Sequence, residues 1–487
     1  MLFSILLQTT LTLAYAALET RDWNSQGFPL RNHGYFYTIT VGLGDPQQEV
    51  ELLLDTGSYQ TWFPSTSNPH CSELRNERAI SNLNSLNCET YGTYNETLSR
   101  TFNSTKEKFT TDYLDGTYVE GIVVHEDFRF LGSVSEDGTS NELELVGFEA
   151  GLGKNTNSST GVLGLSLSSF KKSDENGVIY KRQSVIDQLK RNGQIDRRVF
   201  SIWLNKQDSS QGSILFGAVD NAKFTPPLKK VKMISGNYKD EKNYPAQNFE
   251  TMITKVFVKT PERNQSHGYD LFNEIEDYQG SYISAIFDTG SYHTYFPADI
   301  YNKFLNRIGQ YLHIQNDETL IECLTPDSDE TFTIGIKFGT IVLEIPIRYL
   351  IEYADSSSFY VRHNNINYCK LNVRALDFGG IYNKIILGQG VLRSLYLVFD
   401  LDKYEISFAP SIFTSKSKIV DITSQNDIVG AKDGALDHKL LPDVYDPDTE
   451  FIQNTRENQF LKPLTSGFIK VGANWPLVVF VLIILYL

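Results

Sequence analysis

LLLDTGSYQTWFPS, residues 52–65, and AIFDTGSYHTYFPA, residues 285–298, are one motif written twice. From Asp55 to Pro64 and from Asp288 to Pro297, eight of ten positions are identical, and only Gln60/His293 and Trp62/Tyr295 differ. Each copy is an apolar run that ends in an acid and then turns through a glycine, Gly57 or Gly290. A single D-T-G triplet carries little, because about one chain in ten of this length contains one by chance and Asp and Gly are ordinary turn residues. Two copies with matched flanks predict two related halves. Each half then contributes one carboxylate, Asp55 and Asp288, to a shared hydrolytic site.

The chain has 487 residues, enough for a sizeable core, and the repeat divides it into two lobes with appendages. Its 27 Tyr and 30 Phe, with runs of Val, Ile and Thr between glycine-rich turns, predict an all-β fold. The net charge of -15 and the lack of a basic stripe argue against nucleic acid as a partner. Residues 1–17 read as a secretory signal peptide, with small residues at Ala14, Ala16 and Ala17, although no basic residue precedes Arg21. At the other end, WPLVVFVLIILYL is shorter than the roughly 20 residues a bilayer-spanning helix needs. With a polar spacer before it, residues 467–487 read as a removed lipid-anchor (GPI) signal whose acceptor is Ser466. Membrane attachment is then through lipid, and the route is the secretory pathway to the cell surface, at the plasma membrane or the cell wall.

Sequons at Asn95, Asn103, Asn157 and Asn264 fit a glycosylated secreted protein. Four cysteines allow three pairings, and Cys71–Cys88 with Cys323–Cys369 is favoured because it puts one bridge in each half. No C-x-x-C or histidine-rich spacing suggests a metal. Along the chain, YFYTITVGLGDPQQEVELLLD reads as a hairpin feeding the first acid strand, and residues 65–108 as surface loop and insertion. Asp115–Gly116 marks a tight hairpin, while SVIDQLKRNG and Ala298–Ile308 read as helices. Lys229 to Lys242 reads as a polar connection between lobes, and residues 412–466, lacking apolar periodicity, as a spacer that in part packs on the body.

These landmarks together resemble the pepsin family of aspartic proteases, and in particular the fungal cell-surface branch called yapsins. The resemblance covers residues 33–411 in family order: YFYTITVG, both D-T-G-S segments, the apolar-apolar-Gly motifs Val162–Gly164 and Ile386–Gly388, and the closing VFDLDKYEISFAP. It implies two β-barrel-like lobes, residues 33–225 and 226–411, with a substrate cleft between them. It also implies polypeptide substrates, a monomer, and no cofactor. Asp55 and Asp288 become the catalytic pair, Thr56 and Thr289 a cross-brace, and Gly57 and Gly290 donors to the acids. Ser58 and Ser291 are each expected to bond their own Asp. Tyr113 matches the tyrosine of the hairpin flap, Trp62 its support, and Asp115 an acid that meets Lys or Arg in the first specificity pocket.

Three positions depart from the family pattern. Only a short pro/leader segment, Leu18–Asn32 with Arg21 and Arg31, stands where a long basic propeptide is usual. Gln389 replaces the acid of the late I-L-G-D motif, and Leu114 the glycine after the flap tyrosine. A catalytically silent binding or wall-organising module is the competing reading, but silent relatives lose an Asp or its Gly, and both are intact here. No G-x-S-x-G or H-E-x-x-H supports a serine or metal hydrolase.

Overall fold

The computed structural model describes residues 27–433, apart from 73–85, 114–115, 135–139, 168–170, 174–178, 182, 235–245, 247, 262–267, 274–282, 316–317, 324–331, 353–360, 377–383 and 429–431. The signal segment, Leu114, Asp115, the Asn264 sequon, Ser466 and the apolar tail lie outside the described residues.

The first acid sits at the end of the strand Gln48–Asp55, whose central residues are apolar on both faces. Such a run fits a strand covered from both sides, the usual setting for parallel pairing. Its partners are the antiparallel Tyr37–Leu43 and the parallel Gly161–Gly164. From there the sheet continues through Trp62–Pro64 and Ser140–Thr156 to Tyr118–Val134, which returns to pair with Tyr37–Leu43 and closes a barrel. Val41, Leu43, Val50, Leu52, Phe128 and Phe148 fill it. The second half repeats the scheme more openly. Ile283–Phe287 lies parallel to Lys384–Leu387, which pairs in turn with Thr294–Pro297, and all of their residues are buried.

Six strands from both halves join the lobes. Phe28–Asn32, Gln211–Phe216 and Val199–Trp203 come from the first half, and Leu395–Asp400, Glu405–Pro410 and Lys229–Lys232 from the second. Phe200 stacks on Phe399 at 4.8 Å, and Phe287, next to Asp288, lies 5.8 Å from Phe408. The acid strand of the second half is thus packed directly on the joining sheet. The two helices form as the sequence predicts: Val185–Arg191 starts at a capping box made by Ser184 and Asp187, and Ala298–Arg307 follows the second motif. The disulfides are Cys71–Cys88 and Cys323–Cys369. The sequon residues Asn103 and Asn157 are exposed, and Asn95 is partly so.

The folded body differs from the expected divisions at its N-terminal end and at the junction, while part of the spacer packs on the body as expected. Phe28–Asn32, read as leader, is a strand of the joining sheet, because its apolar Phe28 and Leu30 are buried against it. Lys229–Lys232, read as connection, is another: Lys230 and Lys232 face Glu405 at 3.3 and 3.0 Å. Past residue 411, Ile419–Asp421 pairs with Ala218–Asp220, and Ile422 and Ile428 are buried beside Trp203, Val219 and Tyr396. The Asp220 carboxylate accepts from Ser417 Oγ and Lys418 N at 2.6 and 2.7 Å. Isolated Ile residues in a polar stretch give no period to read, yet each fills a site on the sheet. Replacing Ile422 with Ala should cost about 2–4 kcal/mol of unfolding free energy in a urea titration. An unchanged midpoint would mean that the segment only rests on the surface.

Candidate active site

Two strand pairs of the same design bring the acids together. In the first half Leu54 pairs with Leu163, Asp55 with Gly164, and Trp62 with Val162. In the second, Phe287 pairs with Leu387 and Tyr295 with Ile386, so Asp288 emerges beside Gly388. The repeated acid loops cross over these two glycines. A Cβ on Gly164 would come within 2.5 Å of the Tyr59 backbone, and one on Gly388 within 2.2 Å of the His293 carbonyl. Only glycine lets each loop lie that close to its strand.

Both acids are buried, Asp55 at 0% and Asp288 at 4% exposure, and their carboxyl groups are in hydrogen-bond contact. Each loop turns its own amide onto its acid. Gly57 N donates to Asp55 Oδ1 at 2.8 Å, and Gly290 N to Asp288 Oδ1 at 2.9 Å. The Ser58 hydroxyl donates to Asp55 Oδ2. Ser291 differs from expectation: its hydroxyl donates to the His293 carbonyl at 3.1 Å, while its backbone N–H serves Asp288. Burial and the neighbouring Asp55 charge push Asp288 well above the ordinary carboxylate range, and the two amide donors offset only part of this. Two carboxylates this close cannot both ionise at low cost, so they bind a proton as a pair.

The loops are locked to each other by their threonines. Thr56 N donates to Thr289 Oγ1 at 3.0 Å, and Thr289 N to Thr56 Oγ1 at 2.9 Å. Each hydroxyl then donates across the junction, Thr56 to the Phe287 carbonyl at 2.7 Å and Thr289 to the Leu54 carbonyl at 2.9 Å. These acceptors immediately precede the two acids, so the brace sets the distance between the carboxyl groups.

The two mismatched positions of the repeat are where the halves diverge in shape. Trp62 Nε1 donates to Tyr113 Oη at 2.5 Å, and Gln60 Oε1 accepts from Thr111 Oγ1 at 2.5 Å. Both partners belong to the hairpin formed by Asn103–Asp112 and Tyr118–Val134, whose turn contains Gly116 at φ +86°. Trp62, Tyr113, Phe109, Val119, Val123 and Val162 form a separate apolar cluster beneath it. In the second half Tyr295 packs with Leu376 and Ile386, and His293 Nδ1 meets Asn372 Oδ1.

Three residues of the surroundings escaped sequence reading. Asn372 Nδ2 donates to the Tyr292 carbonyl at 3.1 Å and so ties the second acid loop to the strand Val373–Leu376. Arg393, 2% exposed, donates through Nε to Tyr37 Oη at 3.0 Å and through Nη2 to the Gly34 carbonyl at 2.8 Å and Gln389 Oε1 at 3.4 Å. Tyr35, next to Gly34, meets the Tyr292 ring edge-on at 4.8 Å. Gln389 Nε2 donates to the Thr289 carbonyl at 2.9 Å. The only sequence signals were the mismatch at His293 and the departure at Gln389. Among the described residues, no group of three or more His, Cys, Asp or Glu could hold a metal ion.

His293 yields a pH prediction. Burial and the charges of Arg374 and Lys370 push its imidazole down to about 3. The folded state therefore stays unprotonated there while an unfolded histidine takes up a proton near its ordinary value of 6.5. Unfolding then binds a proton throughout that window, so this residue makes stability fall as pH drops from about 6.5 towards 3. His293→Gln should flatten the decline in melting temperature over that range. A slope equal to that of the wild type would overturn this assignment.

With this geometry in hand, comparison with known proteins is direct. The profile described as eukaryotic aspartyl protease matches residues 36–411. The chain is 28% identical to aspartic proteinase yapsin-3 of Saccharomyces cerevisiae over 414 residues, which spans 83% of this chain and 72% of the relative. It is 27% identical to secreted aspartic protease 10 of Candida albicans, over 82% of this chain and 77% of the relative. The crystal structure of an aspartic proteinase from Irpex lacteus shares the fold, with a TM-score of 0.58 at 18% identity, covering 80% of this chain and 98% of that one. The chain belongs to the eukaryotic aspartyl protease family, as a pepsin-like aspartic endopeptidase of the yapsin-like fungal branch.

Proposed function

We propose that this endopeptidase works through Asp55 and Asp288, with a water held between them, on polypeptides at or beyond the cell surface. The observation that carries the reading is the contact of two buried carboxyl groups, each cradled by the amide of its own loop, with Asp288 raised by burial and by Asp55. In the singly protonated pair, Asp288 holds the proton and polarises the scissile carbonyl. Asp55, kept anionic by Gly57 N–H and the Ser58 hydroxyl, takes a proton from the attacking water. The tetrahedral intermediate then collapses as a proton passes to the departing nitrogen. No metal or organic cofactor enters this sequence of steps.

The sign of the pH dependence follows from the protonation state. Activity falls at low pH as the pair takes up a second proton, and at higher pH as the shared proton leaves it. A bell-shaped profile on the acidic side of neutral results, its upper limb lying above the ordinary carboxylate value because Asp288 is raised. The N-terminal apolar segment, the sequons and the C-terminal apolar tail support secretion, glycosylation and a lipid anchor near Ser466. The name of the Candida albicans relative, a secreted protease, agrees with that route. Asp115, two residues past Tyr113, supports a preference for Lys or Arg at the cleaved bond.

The test is peptide cleavage from pH 3 to 7, read by mass spectrometry, with and without pepstatin. Asp55→Asn and Asp288→Asn should each lower kcat by at least about a thousandfold, the scale on which acid–base groups act. Asp115→Thr should depress cleavage after Lys more than cleavage after Phe. Pepstatin-resistant cleavage that survives in Asp288→Asn would refute the pair. No cleavage by a folded wild type would move the reading to a silent binding module.

A further inference from the structure

The sequon residue Asn157 lies where the hairpin that carries Tyr113 returns into its sheet. The ladder between Tyr118–Val134 and Ser140–Thr156 ends at the pair Val119 and Thr156. One residue further on, the Asn157 side chain continues that ladder in place of backbone. Tyr118 N donates to Asn157 Oδ1 at 2.8 Å, and Asn157 Nδ2 donates to the Gly116 carbonyl at 3.1 Å. An amide N–H can only donate and a carbonyl can only accept, so these two partners leave one orientation for the carboxamide. The base behind it is firm. Thr156 Oγ1 donates to the Tyr118 carbonyl at 2.6 Å, and Asn68 bonds both backbone groups of Thr156 at 3.0 and 3.3 Å. At the turn, Tyr113 N donates to the Thr117 carbonyl at 2.7 Å, and Gly116 N to the Tyr113 carbonyl at 3.1 Å. A hold on Gly116 and Tyr118 is therefore one short turn away from the residue whose phenol meets Trp62.

The same nitrogen is the attachment point for an N-linked glycan, since Asn157-Ser158-Ser159 is a sequon and Asn157 is exposed. Tyr118 N and Gly116 O lie two residues apart on one run of chain and are met by Oδ1 and Nδ2 side by side, which points to the Nδ2 hydrogen on the edge shared with Oδ1. In an N-glycosidic amide the sugar carbon occupies that position, and the remaining hydrogen points to the other side.

We propose that Asn157 is a positioning residue for the Tyr113 hairpin, and that its hold on Gly116 and N-glycosylation at Asn157 exclude each other. Glycan occupancy at this one sequon then sets how firmly the hairpin that carries Tyr113 is held. This deepens the endopeptidase reading above and rests on it, and on passage of the chain through a glycosylating secretory route. A loosened hairpin must be ordered when substrate binds, so the effect falls on KM rather than on kcat.

The test uses the full chain from one glycosylating eukaryotic host, as wild type, Ser159→Ala and Asn157→Ala. Ser159→Ala keeps the asparagine but removes its sequon, and Asn157→Ala removes both the hold and the glycan. Three readouts are needed: glycan occupancy at Asn157 by peptide mass spectrometry, amide exchange of Tyr118, and KM and kcat on a quenched peptide. Wild type should carry the glycan and, with the Gly116 bond gone but Oδ1 still able to accept, exchange Tyr118 faster than Ser159→Ala and no faster than Asn157→Ala. Ser159→Ala should exchange it about tenfold more slowly and show a KM about fivefold lower, with kcat within about twofold, the scale of one or two net hydrogen bonds. The proposal is overturned if Asn157 in the wild type carries no glycan. It is equally overturned if Asn157→Ala exchanges Tyr118 as slowly as Ser159→Ala, or if glycosylated wild type matches Ser159→Ala in exchange and KM. If all three proteins lack activity the endopeptidase reading fails, and the order of the exchange rates still decides the role of Asn157.

Discussion

Two carboxyl groups pressed together away from water are the constraint around which this protein is organised. Left alone, such a pair would repel or drift apart, and the cost of burying charge would be met by protonating both. The structure instead supplies fixed donors: Gly57 N–H and the Ser58 hydroxyl on Asp55, Gly290 N–H and the Ser291 amide on Asp288. It also prevents retreat, because the Thr56–Thr289 brace bonds the carbonyls that immediately precede the acids. Every larger feature serves that placement. The parallel partners Gly161–Gly164 and Lys384–Leu387 aim the two strands, and the six-stranded joining sheet carries Phe399 and Phe408 against Phe249 and Phe287.

Within this near-symmetric frame, function comes from the departures. Gln60 and Trp62 reach the hairpin of the first half, through Thr111 and Tyr113, whereas their counterparts His293 and Tyr295 face Asn372 and an apolar cluster. The lobes are also tied by a buried cation with neutral acceptors: Arg393 reaches Tyr37, Gly34 and Gln389, and the Gln389 amide passes the connection to Thr289. A buried arginine is costly unless its donors are satisfied, and here carbonyl, phenol and amide oxygens satisfy them where the family pattern places a carboxylate at 389.

The body also continues past residue 411, where the family match ends. Ile422 and Ile428 are buried against the joining sheet, and Asp427 is drawn down to about 2 by Lys403, the Ile428 amide and Arg197. That salt-bridged end therefore stays ionised in mildly acidic surroundings. It makes the segment part of the folded unit.

Sequence alone determined the β class, the two-fold repeat and the acids with their Thr and Gly neighbours, and it favoured one disulfide in each half. Those features are local in cause: an apolar run has to be buried, a Gly in the acid turn presents its amide to the acid, and an acid repeated in matched flanks marks a repeated job. Tertiary structure decided what depends on which distant atoms meet. The Ser291 hydroxyl turned to the His293 carbonyl, since backbone amides already serve Asp288. Arg393 and Asn372 acquired their roles from partners far away in the chain. Residues read as leader and connection became strands, because their side chains found partners on a sheet built by the rest of the molecule. Asn157, an exposed sequon in the sequence, became the last rung of a ladder only because Gly116 and Tyr118 ended beside it. Periodicity records which face of an element is buried, and it carries no record of contacts made once between segments that do not repeat.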